Sequence, residues 1–275
     1  MDKHNIRYVI GTEVPPPGGI QGEEDTPQPT CPGQVEETIE LTKKAFYKRR
    51  LESAWERVIA VVVQPGVEFG NDIIYDYDRS QAECLKRFIE STNGLIYEAH
   101  STDYQSRSAL RQMVEDHFAI LKVGPALTFA YREAVYAFAM IDKELFATRS
   151  DWQSSNIIET LEKVMLENQK YWQDYYLGSE EEKAISRHYS FSDRIRYYWP
   201  EERVQKSLNR LFNNLQSVEI PLSLLSQYLP VQFKRIRSGD LDNKPFAVIH
   251  DSISQVLQDY SFACGSGGTT AEKTR

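Results

Sequence analysis

The chain has 275 residues and a net charge of −8, from 32 Lys and Arg against 40 Asp and Glu. Hydrophobic residues make up 41% and aromatic residues 12%, enough for a globular core. The charge balance lacks the positive excess with which proteins bind nucleic acids or acidic membranes. The N-terminus has no signal-peptide pattern, and no apolar run approaches the about 20 residues that span a bilayer. We therefore expect a cytoplasmic protein that binds neither nucleic acid nor membranes.

The three cysteines, Cys31, Cys84 and Cys264, are widely spaced and form no CxxC pair. An odd number of isolated cysteines supports neither a disulfide framework nor a cysteine zinc site. This pattern also agrees with a reducing compartment.

Four short runs rich in β-branched residues predict buried strands in the first half of the chain, at residues 8–12, 58–63, 95–99 and 119–123. Helical patterns separate and follow them, at residues 35–57, 80–92, 104–117 and 127–146. Strands that are apolar on both faces and alternate with helices are typical of a parallel sheet. The sequence therefore predicts an α/β fold built from four βα units.

An eight-stranded barrel and an open doubly wound sheet both contain such units. A doubly wound sheet usually has a glycine-rich turn after its first strand, whereas here three consecutive prolines follow at residues 15–17. Four units are half of a (β/α)₈ barrel, so we expect the TIM-barrel type, present as a half-barrel.

Helical patterns continue in the second half without strand signals, at residues 156–176, 201–215, 222–228, 231–238 and 246–263. The sequence thus predicts a half-barrel at residues 1–150, a helical extension at 151–264 and a disordered tail at 265–275. The proline-rich loop at residues 15–33 is expected to be irregular.

Polar residues follow each predicted strand: Glu13, then Gln64 and Glu68, then Glu98, His100, Ser101 and Asp103, and finally Lys122 and Gly124. Glu98 and His100 are two residues apart and share a strand face, and Lys122 arrives from the neighbouring strand. One interpretation is a site for a phosphorylated or carbonyl substrate, with His100 as acid, base or metal ligand and Lys122 as anion or carbonyl partner. The other is a buried network of ion pairs that closes one end of the sheet.

A second polar cluster lies in the helical half, where Arg194, Arg196 and Trp199 occur close together. Two arginines beside aromatic residues can hold an anion or form an interface. Because these arginines do not belong to a larger cluster of basic residues, packing or a protein interface is favoured over anion binding.

The chain resembles the GatZ/KbaZ family, the non-catalytic subunits of class II D-tagatose-1,6-bisphosphate aldolase. The segments that carry this resemblance are residues 8–15, 61–69, 97–105, 117–130 and 192–200, extended by 226–230 and 232–236. Their order and approximate spacing agree from residue 8 to about 264, and residues 20–33 are the least similar stretch.

The resemblance implies a TIM-type barrel that stabilises a separate zinc-dependent subunit and is required for its full activity. That catalytic subunit cleaves D-tagatose 1,6-bisphosphate to glycerone phosphate and glyceraldehyde 3-phosphate, in tagatose 6-phosphate degradation from galactitol or N-acetylgalactosamine. Family members carry an additional N-terminal segment with the first barrel strands, which nothing before His4 resembles. The four units here then correspond to the C-terminal half of the barrel, and its open edges predict self-association.

The family also resembles the catalytic subunits, in which histidines at late strand ends hold zinc. His100 stands at one such end, Gln64 occupies the other, and residues 122–124 resemble the stretch that follows. One ligand is then lost, so we expect no cofactor in this chain and zinc on the catalytic partner. The alternative is a sugar-phosphate enzyme, either an aldolase or a tagatose-6-phosphate kinase, that uses Glu98, His100 and Lys122. The lack of a P-loop motif favours the non-catalytic role.

Overall fold

The computed structural model describes residues 6–11, 19, 27–147, 149 and 152–265. They form two compact units. The first contains the described residues up to Gly124 and those from Gln258 onward, and the second is Pro125–Leu257. The sequence-based boundary at residue 150 differs from this division, because helix Pro125–Ala147 packs within the helical unit.

The strands of the first unit are β1 (Tyr8–Ile10), β2 (Val58–Val63), β3 (Glu68–Phe69), β4 (Ile74–Tyr75), β5 (Ile96–Ala99) and β6 (Phe118–Leu121). Four of them form a sheet in the order β1-β2-β5-β6, and every pairing in it is parallel. The predicted parallel α/β arrangement is therefore confirmed. The predicted strands begin within one residue of the observed ones, because their runs of β-branched residues have polar or glycine boundaries.

A two-residue antiparallel hairpin, β3 paired with β4, was not predicted. Elements this short have no detectable alternation in the sequence. Glu68, which the sequence placed in the turn after the second strand, lies in this hairpin.

The helices of the first unit are α1 (Pro32–Lys48), α2 (Glu52–Trp55), α3 (Arg79–Glu90) and α4 (Arg107–Glu115). The prediction of one helix over residues 35–57 was wrong. Arg50 adopts a φ of +57°, which ends the helical path between α1 and α2. The hydrophobic core of this unit lies between the sheet and the helices and includes Val61, Tyr97 and Met113.

The second unit begins with α5 (Pro125–Ala147), and the described part of it contains no strand. The α-helices that follow are α6 (Ile157–Glu167), α7 (Glu180–Tyr189), α8 (Glu202–Gln216), α9 (Leu222–Tyr228), α10 (Pro230–Ser238) and α11 (Pro245–Ala263), whose last residues belong to the first unit. Short 3₁₀ helices cover Gln169–Tyr171 and Arg194–Tyr198. The predicted helix over residues 156–176 ends at Glu167, where Asn168 leaves helical geometry.

Helix α7 was missed by the sequence analysis. Ser179 and Glu182 form a capping box at its start, with Ser179 N donating to Glu182 at 2.7 Å. The Ser-x-x-Glu spacing was the signal that could have located it.

The interior of the helical unit follows the apolar stripe of α5. Ala134, Phe138 and Ile141 are each at most 1% exposed. Their spacing of three and four residues places them on one face of the helix. No described helix of the chain has the length and apolar character needed to cross a membrane.

Candidate functional site at the carboxyl edge of the sheet

Glu98 is the centre of a polar cluster at the end of β5. Its side chain is 7% exposed, and its Oε1 lies 2.9 Å from His100 Nε2 and 3.1 Å from Lys122 Nζ. Strand periodicity places Glu98 and His100 on one side, and the chain leaving β6 brings Lys122 alongside. The structure thus brings together the three side chains that the sequence singled out.

The three groups differ in their access to solvent. The side chain of Lys122 is 57% exposed and that of His100 is 27% exposed, whereas Glu98 is nearly enclosed. A buried carboxylate with two nitrogen partners keeps both of them in place. The ammonium and imidazole groups are therefore held in position by Glu98 while remaining accessible to solvent. There they could contact an anion or a carbonyl oxygen.

The loop after β5 is held by hydrogen bonds to the chain that follows β6. Asp103 is 3% exposed and its Oδ1 accepts from Gly124 N at 2.9 Å. Thr102 Oγ1 donates to the carbonyl oxygen of Lys122 at 2.7 Å. Ser101 in this loop has a φ of +52°, a conformation that costs free energy for a residue with a side chain. The structure therefore assigns Asp103 and Gly124 to the support of the cluster.

Two residues that sequence reasoning missed, Thr102 and Tyr260, complete this support. Tyr260, near the end of α11, donates its hydroxyl to the carbonyl oxygen of Thr102 at 2.8 Å. Burial raises the pKa of the Tyr260 hydroxyl, so the group stays protonated and able to donate. The two residues are 158 positions apart. No local pattern in the sequence could have indicated this contact.

Gln64 and Glu68 each make local contacts that fix the chain after β2. Gln64 Oε1 accepts from the backbone N–H groups of Gly66 at 2.9 Å and Val67 at 3.1 Å, so it fixes the turn after β2. Glu68 is 2% exposed, and its Oε1 accepts from Phe69 N at 3.0 Å. The candidate Glu13 lies outside the described residues.

Arg194 lies in the interior of the helical unit and is 4% exposed. Its guanidinium lies 2.9 Å from the centre of the Tyr175 ring, and Nη1 donates to Tyr171 O at 3.0 Å. Because these contacts hold it among aromatic rings, the arrangement has the character of packing.

Arg196 and Trp199 lie in the same segment. Arg196 donates to the carbonyl oxygen of Asp193 at 3.0 Å and to the hydroxyl of Tyr197 at 3.0 Å. Trp199 packs edge-on against Tyr131, with ring centres 5.1 Å apart. Both residues therefore bind neighbouring parts of the helical unit.

In the described part of the chain, no group of three or more His, Cys, Asp or Glu side chains could hold a metal ion. His100 is paired there with one carboxylate, that of Glu98.

The fold and the cluster define an α/β protein with a parallel sheet and charged side chains at its carboxyl edge. The sequence matches the model of a family described as D-tagatose-1,6-bisphosphate aldolase subunit GatZ/KbaZ-like over residues 1–265. The chain belongs to this family.

Curated relatives are similar over nearly the whole chain. A protein of Klebsiella pneumoniae subsp. pneumoniae is 47% identical over 264 residues, which cover 96% of this chain and 62% of the relative. A protein of Escherichia coli O1:K1 / APEC is 48% identical over 262 residues, covering 95% and 61%. Both are named D-tagatose-1,6-bisphosphate aldolase subunit GatZ. The chain therefore spans about three fifths of the length of these relatives.

A solved structure is also similar. It is the crystal structure of a probable tagatose 6 phosphate kinase from Sinorhizobium meliloti 1021, with a TM-score of 0.84 and 41% sequence identity. The match covers 94% of this chain and 62% of that chain.

Proposed function

We propose that this chain acts as a non-catalytic subunit of D-tagatose-1,6-bisphosphate aldolase in the cytoplasm. In this role it stabilises a separate, zinc-dependent catalytic subunit in tagatose 6-phosphate degradation. The observation that carries the proposal is the family match over residues 1–265, together with relatives at 47–48% identity that are named as this subunit.

The ion pairs at the carboxyl edge of the sheet support a structural role. Glu98 is nearly enclosed and holds His100 and Lys122 directly, while Asp103 and Thr102 hold the adjoining loop. Gln64, the second position at which the catalytic subunits are expected to carry a histidine, uses its amide oxygen to fix a turn. The proposal therefore places the zinc site on the catalytic partner.

The proposal includes a finer assignment of the fold, as the C-terminal half of a TIM-type barrel. Its support is the parallel order β1-β2-β5-β6 with helices between the strands, because consecutive parallel neighbours are the arrangement of barrel strands. The barrel's inner face would then carry Glu98, which lies opposite Val62 in the β2–β5 pairing.

Co-expression with the catalytic subunit tests the proposed function. The chain should raise the soluble yield of the catalytic subunit and the half-life of its aldolase activity. Leu211→Asp, at a position that is 0% exposed, should unfold the helical unit and abolish the effect. The matched control Leu177→Asp, at a position 59% exposed, should retain it. Equal yield and half-life with and without the chain would contradict the proposal.

A sugar-phosphate enzyme is the second candidate, and the exposed ammonium and imidazole of the Glu98 cluster are the observation that favours it. The purified chain would then turn over tagatose 1,6-bisphosphate with zinc, or tagatose 6-phosphate with ATP. His100→Ala should abolish that turnover. Activity no greater than that of the His100→Ala variant would exclude this candidate.

A further inference from the structure

The end of α1 concentrates positive charge in an otherwise acidic chain. Five cations lie within eight residues, none of which is Asp or Glu, although the whole chain carries −8. The cations are Lys43, Lys44, Lys48, Arg49 and Arg50. The next carboxylates along the chain are Glu52, the first residue of α2, and Glu56, which directly follows that helix.

Helix stability accounts for part of this charge. Lys44 pairs with Glu40 one turn earlier, at 3.0 Å. Arg49 donates to the carbonyl oxygen of Ala45 at 3.2 Å. Cations at a helix C-terminus are stabilised by the helix dipole, which applies to Lys48 in the last turn and to Arg49 at the C-cap.

Lys48 and Arg50 are not accounted for by pairing. Both are exposed, and no carboxylate among the described residues lies within ion-pair distance of either. Arg50 is held at its positive φ of +57° by the turn between α1 and α2, which fixes where its side chain leaves the backbone. Among the described residues, therefore, these two cations have no carboxylate partner.

Exposed apolar side chains accompany these cations. Leu41 is 58% exposed, Tyr47 is 47% exposed and Leu51 is 44% exposed. Lys43 lies over the Tyr47 ring, with Nζ 5.9 Å from its centre. Together, the five cations and these three apolar residues are called the basic surface below. Arginine and tyrosine are among the residue types that are enriched at protein interfaces.

The position of the basic surface leaves the Glu98 cluster open. The chain passes from the end of α1 through α2 into the start of β2 at Val58, so the basic surface lies by the amino edge of the sheet. Glu98 is at the end of β5, near the carboxyl edge. A protein bound at one edge would not cover the other.

We propose that the basic surface docks this chain onto an acidic surface of the catalytic aldolase subunit, an inference that rests on the proposed function. Charge complementarity carries it, because opposite charge on the partner accelerates association and suppresses wrong partners. The exposed apolar residues favour a protein over a nucleic acid. The negative charge of the rest of the chain would also repel a polyanion that extended beyond the basic surface.

Binding of the full 275-residue chain to the purified catalytic subunit tests the assignment. The variant carries K48E and R50E. A matched control carries K234E and R237E on α10, at residues that are also exposed. Each pair of reversals changes the net charge from −8 to −12, since four units of positive charge are lost. At about 50 mM salt, the Kd should rise at least about tenfold for the first variant and less than about threefold for the control.

Salt dependence provides a second readout. The wild-type chain should lose affinity between about 50 and about 500 mM salt, and the K48E and R50E variant should lose less. Circular dichroism melts establish that both variants are folded. If K48E and R50E prevent folding, K48A and R50A should still raise the Kd, by at least about threefold at low salt.

The outcomes separate the docking assignment from the proposed function. If the K48E and R50E variant binds the catalytic subunit as tightly as the wild type does, the docking assignment alone would be overturned. A wild-type chain that neither binds nor stabilises the catalytic subunit would overturn both. Random-sequence duplex DNA is tested as a second ligand. If the wild-type chain binds it as tightly as it binds the catalytic subunit, and the K48E and R50E variant does not bind it, the assignment of a protein partner would be overturned in favour of a polyanion.

Discussion

Glu98 is a buried carboxylate with two nitrogen partners, and its contribution to stability can be measured apart from any role in binding. Glu98→Gln removes the charge that holds His100 and Lys122 at 2.9 and 3.1 Å. Because Lys122 reaches solvent, the loss of unfolding free energy in urea denaturation should be about 1–2 kcal/mol, at the low end of the range for hydrogen bonds to charged groups. The control Glu90→Gln, which breaks an exposed pair with His117, should cost less than about 0.5 kcal/mol. Equal losses would contradict this account of the cluster.

Asp193 is a second residue with an unusual environment, deep in the helical unit. Burial raises its pKa to about 6, despite hydrogen bonds from Thr128 Oγ1 at 2.5 Å and Arg132 Nε at 3.3 Å. A raised acid pKa means that the folded state holds the proton more tightly than the unfolded state. Stability from this group is therefore fully present below pH 4 and is lost as the pH rises through about 6.

The pH dependence of unfolding isolates this effect. Between about pH 4 and 7, the free energy of unfolding of the wild type minus that of Asp193→Asn should fall by about 2–3 kcal/mol as the pH rises. Above about pH 7 the difference should be constant, since Asp193 is then ionised in both states. Asparagine retains the shape and tolerates the φ of +47° at this position. A difference that is flat from pH 4 to 7 would show that Asp193 has an ordinary pKa.

At the scale of elements, the end of α11 holds the loop that carries the Glu98 cluster. Tyr260→Phe removes the hydrogen bond to Thr102 O and leaves that buried carbonyl with one donor fewer. The variant should lose about 1–2 kcal/mol of unfolding free energy, and hydrogen exchange of the loop at residues 100–106 should accelerate. The control Tyr228→Phe, whose hydroxyl pairs with Glu144 at the surface, should lose less than about 0.5 kcal/mol. An unchanged exchange rate in Tyr260→Phe would contradict the role of Tyr260 in holding this loop.

Some elements of the fold could be predicted from the sequence and others could not. The strands of the sheet were predictable because each is a compact run of β-branched residues, as in Val58–Val63. The meeting of Glu98, His100 and Lys122 was predictable from strand periodicity and the parallel arrangement. The break between α1 and α2 was not, because it rests on the positive φ of Arg50, which no Gly or Pro signals.

Contacts between distant segments account for most of what the sequence missed. Tyr260 reaches Thr102 across 158 residues, and Arg194 is enclosed by the rings that surround it once the helical unit has packed. The assignment of α5 to the helical unit is of the same kind. It depends on which neighbours cover an apolar stripe, and periodicity alone does not specify them.

At the scale of the whole molecule, the described sheet has two edges. Strands β1 and β6 each pair with a single neighbour among the described strands, and Val9 on β1 is 39% exposed. An unpaired edge with exposed apolar residues recruits further strands. The isolated chain should therefore self-associate at micromolar concentrations, which size-exclusion chromatography with light scattering measures.

Val9→Lys tests whether the β1 edge is responsible, because a lysine on an edge strand opposes pairing with another strand. The variant should shift the chain toward the monomer while its thermal unfolding midpoint stays within a few degrees of the wild type. Leu177→Lys introduces the same charge at a site in the helical unit that is 59% exposed, and it should leave the association unchanged. If the wild-type chain is instead a monomer with a single cooperative melt, its edges are covered within the chain. The half-barrel assignment would then require a partner strand from residues outside those described.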